Sequence, residues 1–87
     1  MKNRDRTIVF WEILKALAAG PLNPTRLARR ANVPYNRLGE FLGSLRSGGL
    51  VRVESVEGHE LYSITPAGMD ALTHLDEGLK VLFPLFR

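Results

Sequence analysis

The stretch NPTRLARRANVPYNRLGEFLGSLRSGGLV, residues 23 to 51, decides the fold. Two short helical segments, Asn23 to Ala31 and Pro34 to Ser47, are joined by the tight link Asn32-Val33. Asn23 is a capping residue, and Pro24 follows at a first helical position, where a missing N–H leaves no partner wanting. Leu27, Ala28 and Ala31 form a small apolar face for close packing, while Arg26, Arg29 and Arg30 point elsewhere. Asn32 is suited to the left-handed conformation that the link needs. In the later segment Leu38, Phe41, Leu42 and Leu45 fall at i, i+3, i+4 and i+7, which makes one buried stripe. Its opposite face carries Tyr35, Asn36, Arg37, Gly39, Glu40, Gly43, Ser44 and Ser47. Two glycines inside a helix cost about 1 kcal/mol each relative to alanine. They serve close approach of the backbone to an outside surface or packing against Ala28, or they are simply tolerated.

Working outward, Ser47-Gly48-Gly49 stops the helix, and Val51 to Val56 alternates apolar and polar as a half-buried strand does. Glu57-Gly58-His59 reads as a turn and Glu60 to Ile64 as the returning strand. Thr65 caps the last helix, with Pro66 at its first position. There Leu72, Leu75, Leu79, Leu82 and Phe86 make a heptad seam, weakened by Gly78 and stopped or kinked at Pro84. The apolar end, Val81 to Phe86, needs cover. It folds back on the first helix or meets a second subunit, and the second is expected because the preceding unit can close its own core. Upstream, Asp5 to Ala19 reads as the first helix, with Asp5 as N-cap and Gly20 as a left-handed stop before Pro21. Its apolar residues cover more than one stripe, so Phe10 and Trp11 are candidates for a dimer surface as much as for the core.

A helix, a sharp turn, a second amphipathic helix and a two-stranded wing are the order of a winged helix-turn-helix. The expected fold is therefore mainly α with a small β-wing (α+β). Residues 5–65 form the winged core, and 66–87 form a C-terminal dimerisation helix and apolar tail. Eighty-seven residues allow one domain and no second core. A 45% hydrophobic composition argues against disorder. The chain has no cysteine, which excludes disulfides and cysteine zinc sites and fits a reducing, cytoplasmic interior. No stretch reaches the ~20 apolar residues of a membrane span. The charged start, Met1 to Arg6, is not that of a signal peptide.

Net charge is +3, unevenly spread. Between Leu22 and Arg52 stand Arg26, Arg29, Arg30, Arg37, Arg46 and Arg52 against Glu40 alone. From Val53 onward Lys80 and Arg87 oppose Glu54, Glu57, Glu60, Asp70, Asp76 and Glu77. Arginines concentrated on one supersecondary unit are the footprint of a DNA-binding surface, the plainer reading being a solvated face.

The pieces GPLNPTRLA (20–28), NVPYNRL (32–38), FLGSLRSGGLV (41–51) and YSITPAGMDAL (62–72) together resemble small archaeal winged helix-turn-helix DNA-binding proteins. The last piece matches the tyrosine-x-isoleucine-threonine-x-x-glycine signature that ends such wings. Some of these proteins are transcription regulators. Others are chromatin-associated and dimerise through a C-terminal antiparallel coiled coil. The resemblance implies a homodimer on double-stranded DNA, associated with the nucleoid. Two features depart from the pattern. The wing tip is acidic, with Glu57 and Glu60 beside His59, and the exposed face of the third helix has only Arg37 and Arg46 as cations. Both predict weak non-specific binding, which scales with the phosphates neutralised.

In this reading the third helix enters the major groove with Tyr35, Asn36, Arg37, Glu40 and Ser44. Asn36 suits adenine, Arg37 guanine and Glu40 a cytosine amino group. Thr25, Arg26 and Arg29 are assigned to phosphates, and Arg46 and Arg52 flank the site. Arg30 is as well suited to pairing with an acid of the same chain. Phe10, Trp11, Leu72, Leu75, Leu79, Leu82, Phe83 and Phe86 are assigned to the dimer interface. No catalytic role is expected: His59 and His74 lack metal-ligand spacing, and Ser44 and Ser47 lack a base. No cofactor, metal or small-molecule ligand is indicated. The rival function is a winged helix that docks another protein and binds little or no DNA.

Overall fold

The computed structural model describes residues 5–82, with side chains through Val81. Its elements in chain order are α1 (Arg6–Ala18), α2 (Pro24–Ala31), α3 (Tyr35–Ser47), β1 (Val51–Val56), β2 (His59–Ile64) and α4 (Pro66–Leu82). This is the expected mainly helical fold with a two-stranded wing.

Local chemistry sets the helix ends. Asp5 caps α1, its carboxylate accepting from the Thr7 amide at 2.8 Å. Gly20 is not the left-handed helical stop expected of it. Ala19 is still right-handed, and Gly20 sits at φ 143°, far from the αL value of about 57°. Asn23 caps α2, its side-chain oxygen accepting from Arg26 N at 2.9 Å. Asn32 takes the left-handed conformation (φ 58°, ψ 48°). Around it Asn32 N bonds Arg29 O at 3.3 Å and Val33 N bonds Ala28 O at 2.9 Å, the pair of bonds that closes a Schellman motif. The same closure ends α3, where Gly49 stands at φ 76°. Gly49 N reaches Arg46 O and Leu50 N reaches Leu45 O, both at 2.9 Å. Two helices ended the same way give the turn and the entry to the wing their fixed directions.

The strands pair antiparallel from Val51↔Ile64 to Val56↔His59. The turn is shorter than expected. His59 belongs to β2, and only Glu57 and Gly58 lie between the strands, at φ 52° and 81°. Positive φ at both positions marks a type I′ turn, whose twist matches that of the strands it joins. One further pairing had no expectation behind it. Leu22 bridges Tyr62 through reciprocal backbone bonds of 3.0 and 2.9 Å, so the α1–α2 link edges the wing as a third, one-residue strand.

Val9, Ile13, Leu14 and Leu17 of α1 meet Leu27 and Ala31 of α2, the whole apolar stripe of α3, Val51, Tyr62 and Leu72 in one core. Burying each large aliphatic side chain contributes about 1.5–3 kcal/mol. Two residues assigned to a dimer seam are closed off inside the single chain: Leu72, 7% exposed, belongs to this core, and Leu79 is 6% exposed. The reason is that α4 lies back on α1, where the Trp11 indole N–H donates to Asp76 Oδ1 at 2.6 Å. Phe10, Trp11 and Leu75 pack partly buried against the core. Phe83, Phe86 and the Leu82 side chain lie outside the described residues.

The start of α4 explains the glycine of the wing-ending motif. Thr65 Oγ1 accepts from Gly68 N at 3.0 Å and donates to Gly49 O at 2.7 Å, and Thr65 N donates to Leu50 O at 3.1 Å. These bonds draw α4 onto the Leu50 backbone so closely that a Cβ on Gly68 would overlap the Leu50 carbonyl oxygen. A Cβ on Gly78, in the same helix, would meet nothing within 4 Å among the described residues. Gly68→Ala is therefore expected to destabilise the fold by about 1–3 kcal/mol. Gly78→Ala should stabilise it by roughly 0.5–1 kcal/mol, because alanine is the better helix former. Urea-unfolding midpoints of the two variants measure both signs.

Candidate nucleic-acid interface

Burial of Leu38, Phe41, Leu42 and Leu45 fixes how α3 is rotated, and the side chains between them face outward. Asn36, Arg37, Glu40, Ser44 and Ser47 are all exposed, and Tyr35 is 64% exposed. Among the described residues a Cβ on Gly39 or Gly43 would meet nothing within 4 Å. Packing of these glycines against Ala28 is thereby ruled out, which leaves close approach from outside or glycines that are simply tolerated there. One helical turn apart, they leave a low strip on the outward face of α3, between its exposed polar side chains.

Two clefts flank the N-terminal end of α3. Tyr35, Asn36 and Gly39 share a groove of about 320 Å3 with Pro24, Glu60 and Tyr62. Beside it Asn23, Pro24, Thr25 and Tyr35 meet Gly58, His59 and Glu60 of the wing around about 300 Å3. Thr25, Tyr35 and Asn36 are thus brought together, with the wing tip against them. Arg26, Arg29 and Arg30 line a separate shallow concavity of about 190 Å3 on the outer side of α2. Among the described residues none of the three has an acid within 4.0 Å. Arg30 thus lines the same concavity as Arg26 and Arg29 and has no ion pair among the described residues. Arg46 and Arg52 are exposed and likewise have no ion pair among the described residues.

Arg37, Glu40 and Ser44 form a third group, along the α1 side of α3. Arg37 Nε donates to Glu40 Oε1 at 3.3 Å. Sequence reasoning missed a member of this group, Arg6, whose Nη1 lies 3.9 Å from Glu40 Oε2 and whose Nη2 is 3.4 Å from Ser44 Oγ. Arg6 stands 38 positions before Ser44, and no local spacing signals a contact made only by the packing of α1 on α3.

Burial in the groove wall holds the Tyr62 phenol above its ordinary pKa of about 10, with the negative charge of Glu60 adding to the effect and Arg46 opposing it. The described residues include no group of His, Cys, Asp and Glu able to hold a metal ion. Among them no helix is long and apolar enough to cross a membrane.

Residues 3–82 match the family model of the winged helix-turn-helix, and the chain belongs to that family. It is 27% identical over 81 residues to an uncharacterised protein of Methanocaldococcus jannaschii. That match takes in 93% of this chain and 36% of the relative, so the chain spans about a third of that relative's length. Two solved structures from Sulfolobus solfataricus share its fold. One is Sso10a-2, described as a DNA-binding protein, with a TM-score of 0.86, 23% identity and coverage of 95% of this chain and 86% of that one. The other is the transcriptional regulator BldR, with a TM-score of 0.82, 27% identity and coverage of 90% and 58%. The winged helix-turn-helix fold is thus shared with one protein described as DNA-binding and one described as a transcriptional regulator.

The raised Tyr62 pKa has a consequence for stability at high pH. A phenol whose folded-state pKa exceeds its unfolded value stabilises the fold fully below the unfolded value, about 10, and loses that contribution as pH rises through the folded one. The parent should therefore lose more stability between pH 8 and pH 11 than Tyr62→Phe does, as measured by urea unfolding of both. Equal losses would show that the phenol titrates alike in the folded and unfolded states.

Proposed function

We propose that this protein is a dimeric, sequence-specific double-stranded DNA-binding regulator that lays the outward face of α3 in the major groove. The observation that carries the reading is the low strip on the outward face of α3 at Gly39 and Gly43, beside an α2 whose three arginines have no acid partner among the described residues. A duplex supplies what both surfaces lack: a groove floor for the helix and phosphates for the guanidiniums. The Sulfolobus neighbours, one a DNA-binding protein and one a transcriptional regulator, support the same reading.

In this arrangement Tyr35 and Asn36 read base edges from the first turn of α3, with Arg37 at its edge. Thr25, Arg26, Arg29 and Arg30 hold phosphates, and Arg46 and Arg52 flank the site. The acidic wing, with Glu54, Glu57 and Glu60 exposed, stays off the backbone and limits non-specific binding. Dimerisation uses the end of α4, where Val81 is 74% exposed, continued by Leu82, Phe83 and Phe86. Phe10, Trp11 and Leu75 are the remaining apolar residues for the contact. Two α3 helices then reach successive major grooves, ~34 Å apart, of a palindromic site. The protein acts in the cytoplasm, on the nucleoid, without a cofactor.

Fluorescence-anisotropy titration of a mixed-sequence duplex at two salt concentrations tests the DNA reading. Affinity should fall steeply with salt, with a log–log slope of about −0.9 per phosphate neutralised. Replacing Arg26, Arg29 and Arg30 with alanine should flatten the slope by about 0.9 for each phosphate no longer neutralised. No binding at low salt from a stable dimer would instead favour docking of a protein partner. Removing Phe83 to Arg87 should shift sedimentation toward the monomer. A dimer unchanged by that truncation would move the interface to Phe10 and Trp11.

A further inference from the structure

Glu40 is the one acid on α3, and it stands on the face proposed for DNA. Its two carboxylate oxygens are divided between two arginines, Oε1 at 3.3 Å from Arg37 Nε and Oε2 at 3.9 Å from Arg6 Nη1. Arg6 also donates to Ser44 Oγ at 3.4 Å, and that hydroxyl donates to the Glu40 carbonyl at 3.3 Å. Beneath the polar layer is an aromatic one. The Arg6 guanidinium lies 5.2 and 5.3 Å from the ring centroids of Phe10 and Phe41, and that of Arg37 lies 5.6 Å from Phe41. The rings meet edge to face at 5.8 Å, and Phe41 is 1% exposed, so the platform is anchored in the core.

This arrangement contributes little to folding. All three charged side chains are about half exposed. Exposed ion pairs stabilise by about 0–1 kcal/mol, and the order cation-then-anion along a helix is the less favourable one. What the arrangement fixes is position. Two guanidiniums, each held by a carboxylate oxygen and an aromatic face, lie along one edge of α3 with a net positive charge. Less side-chain freedom is then lost when a phosphate or a base edge meets them. A carboxylate so engaged would have to leave two cations to accept from a cytosine amino group.

We propose that Glu40 is a positioning residue and not a base reader: it is the shared counter-ion that sets Arg6 and Arg37 in place, and Arg6 of α1 is thereby part of the DNA-contacting surface. This rests on the DNA-binding reading above. It has one consequence that simple repulsion between Glu40 and phosphate lacks. While both arginines are present the charge of Glu40 is compensated. Without them it is a bare anion facing DNA, so the effect of removing it depends on them.

The test is a mutant cycle on the full chain, with each variant's thermal unfolding checked. Glu40→Gln in the parent should change affinity for a mixed duplex by less than about threefold. In the Arg6→Ala/Arg37→Ala background the same change should raise affinity about tenfold or more. Equal effects in the two backgrounds would overturn the proposal, as would loss of discrimination at a single C·G pair on Glu40→Gln. A second readout needs no DNA. The Nε–H resonances of Arg6 and Arg37 in the free protein should shift on Glu40→Gln while those of Arg26 and Arg29 do not. If the parent binds no duplex, the DNA reading fails and this spectrum alone decides: unmoved resonances would refute the shared counter-ion.

Discussion

Four side chains along one edge of α3, Leu38, Phe41, Leu42 and Leu45, are exposed by 3% or less. They are the constraint on which the rest of the molecule depends. Sealing that edge against α1, α2 and β1 leaves the helix no freedom to roll. Asn36, Gly39, Gly43 and Ser47 must then face outward, whatever they meet there. The two Schellman closures serve the same end. One sets the angle at which α3 leaves α2, and the other sends the chain from α3 into the wing. The Thr65 cap and the close crossing at Gly68 then bring α4 back across the Leu50 carbonyl. A short chain reaches a defined shape because every junction is fixed by hydrogen bonds, with the core filling the space between.

Charge follows from this geometry. The arginines of α2 project away from the core without acid partners among the described residues, whereas those beside α3 are held by Glu40 and two phenylalanines. One set is free to follow a phosphate backbone. The other is held in register with the helix face. The acidic wing opposes both, so the molecule presents one sign of charge on its helix-turn-helix and the other on its hairpin. Such a division favours one docking orientation over others.

Much of this is legible in the sequence, and the misses have physical causes. Helix ends marked by Asp5, Asn23 and Asn32 read correctly because side-chain caps and left-handed turns are local chemistry. The α3 stripe reads correctly because a helical period is visible in a single segment. The turn reads one residue too long because His59 looks alike in a loop and at a strand start. The Leu22–Tyr62 bridge and the packing of Leu72 join segments distant in sequence, and periodicity does not report partners. The heptad spacing of Leu72 and Leu79 is real but ambiguous, since one apolar stripe serves α1 of the same chain as well as it serves a second subunit. Of the candidate site, α3 can be read face by face. Arg6 cannot, because its role exists only where α1 crosses α3.

In the proposed function the outward face of α3, low at Gly39 and Gly43, is the surface that meets duplex DNA. The most direct test is a titration of the isotopically labelled protein with a duplex, followed through backbone amide resonances. Gly39 and Gly43 report on the centre of that face and Gly58 on the wing tip. Gly39 and Gly43, with Asn36 and the first turn of α2, should move strongly while Gly58 moves little. Shifts confined to the wing or to α4, with Gly39 and Gly43 unmoved, would contradict that function.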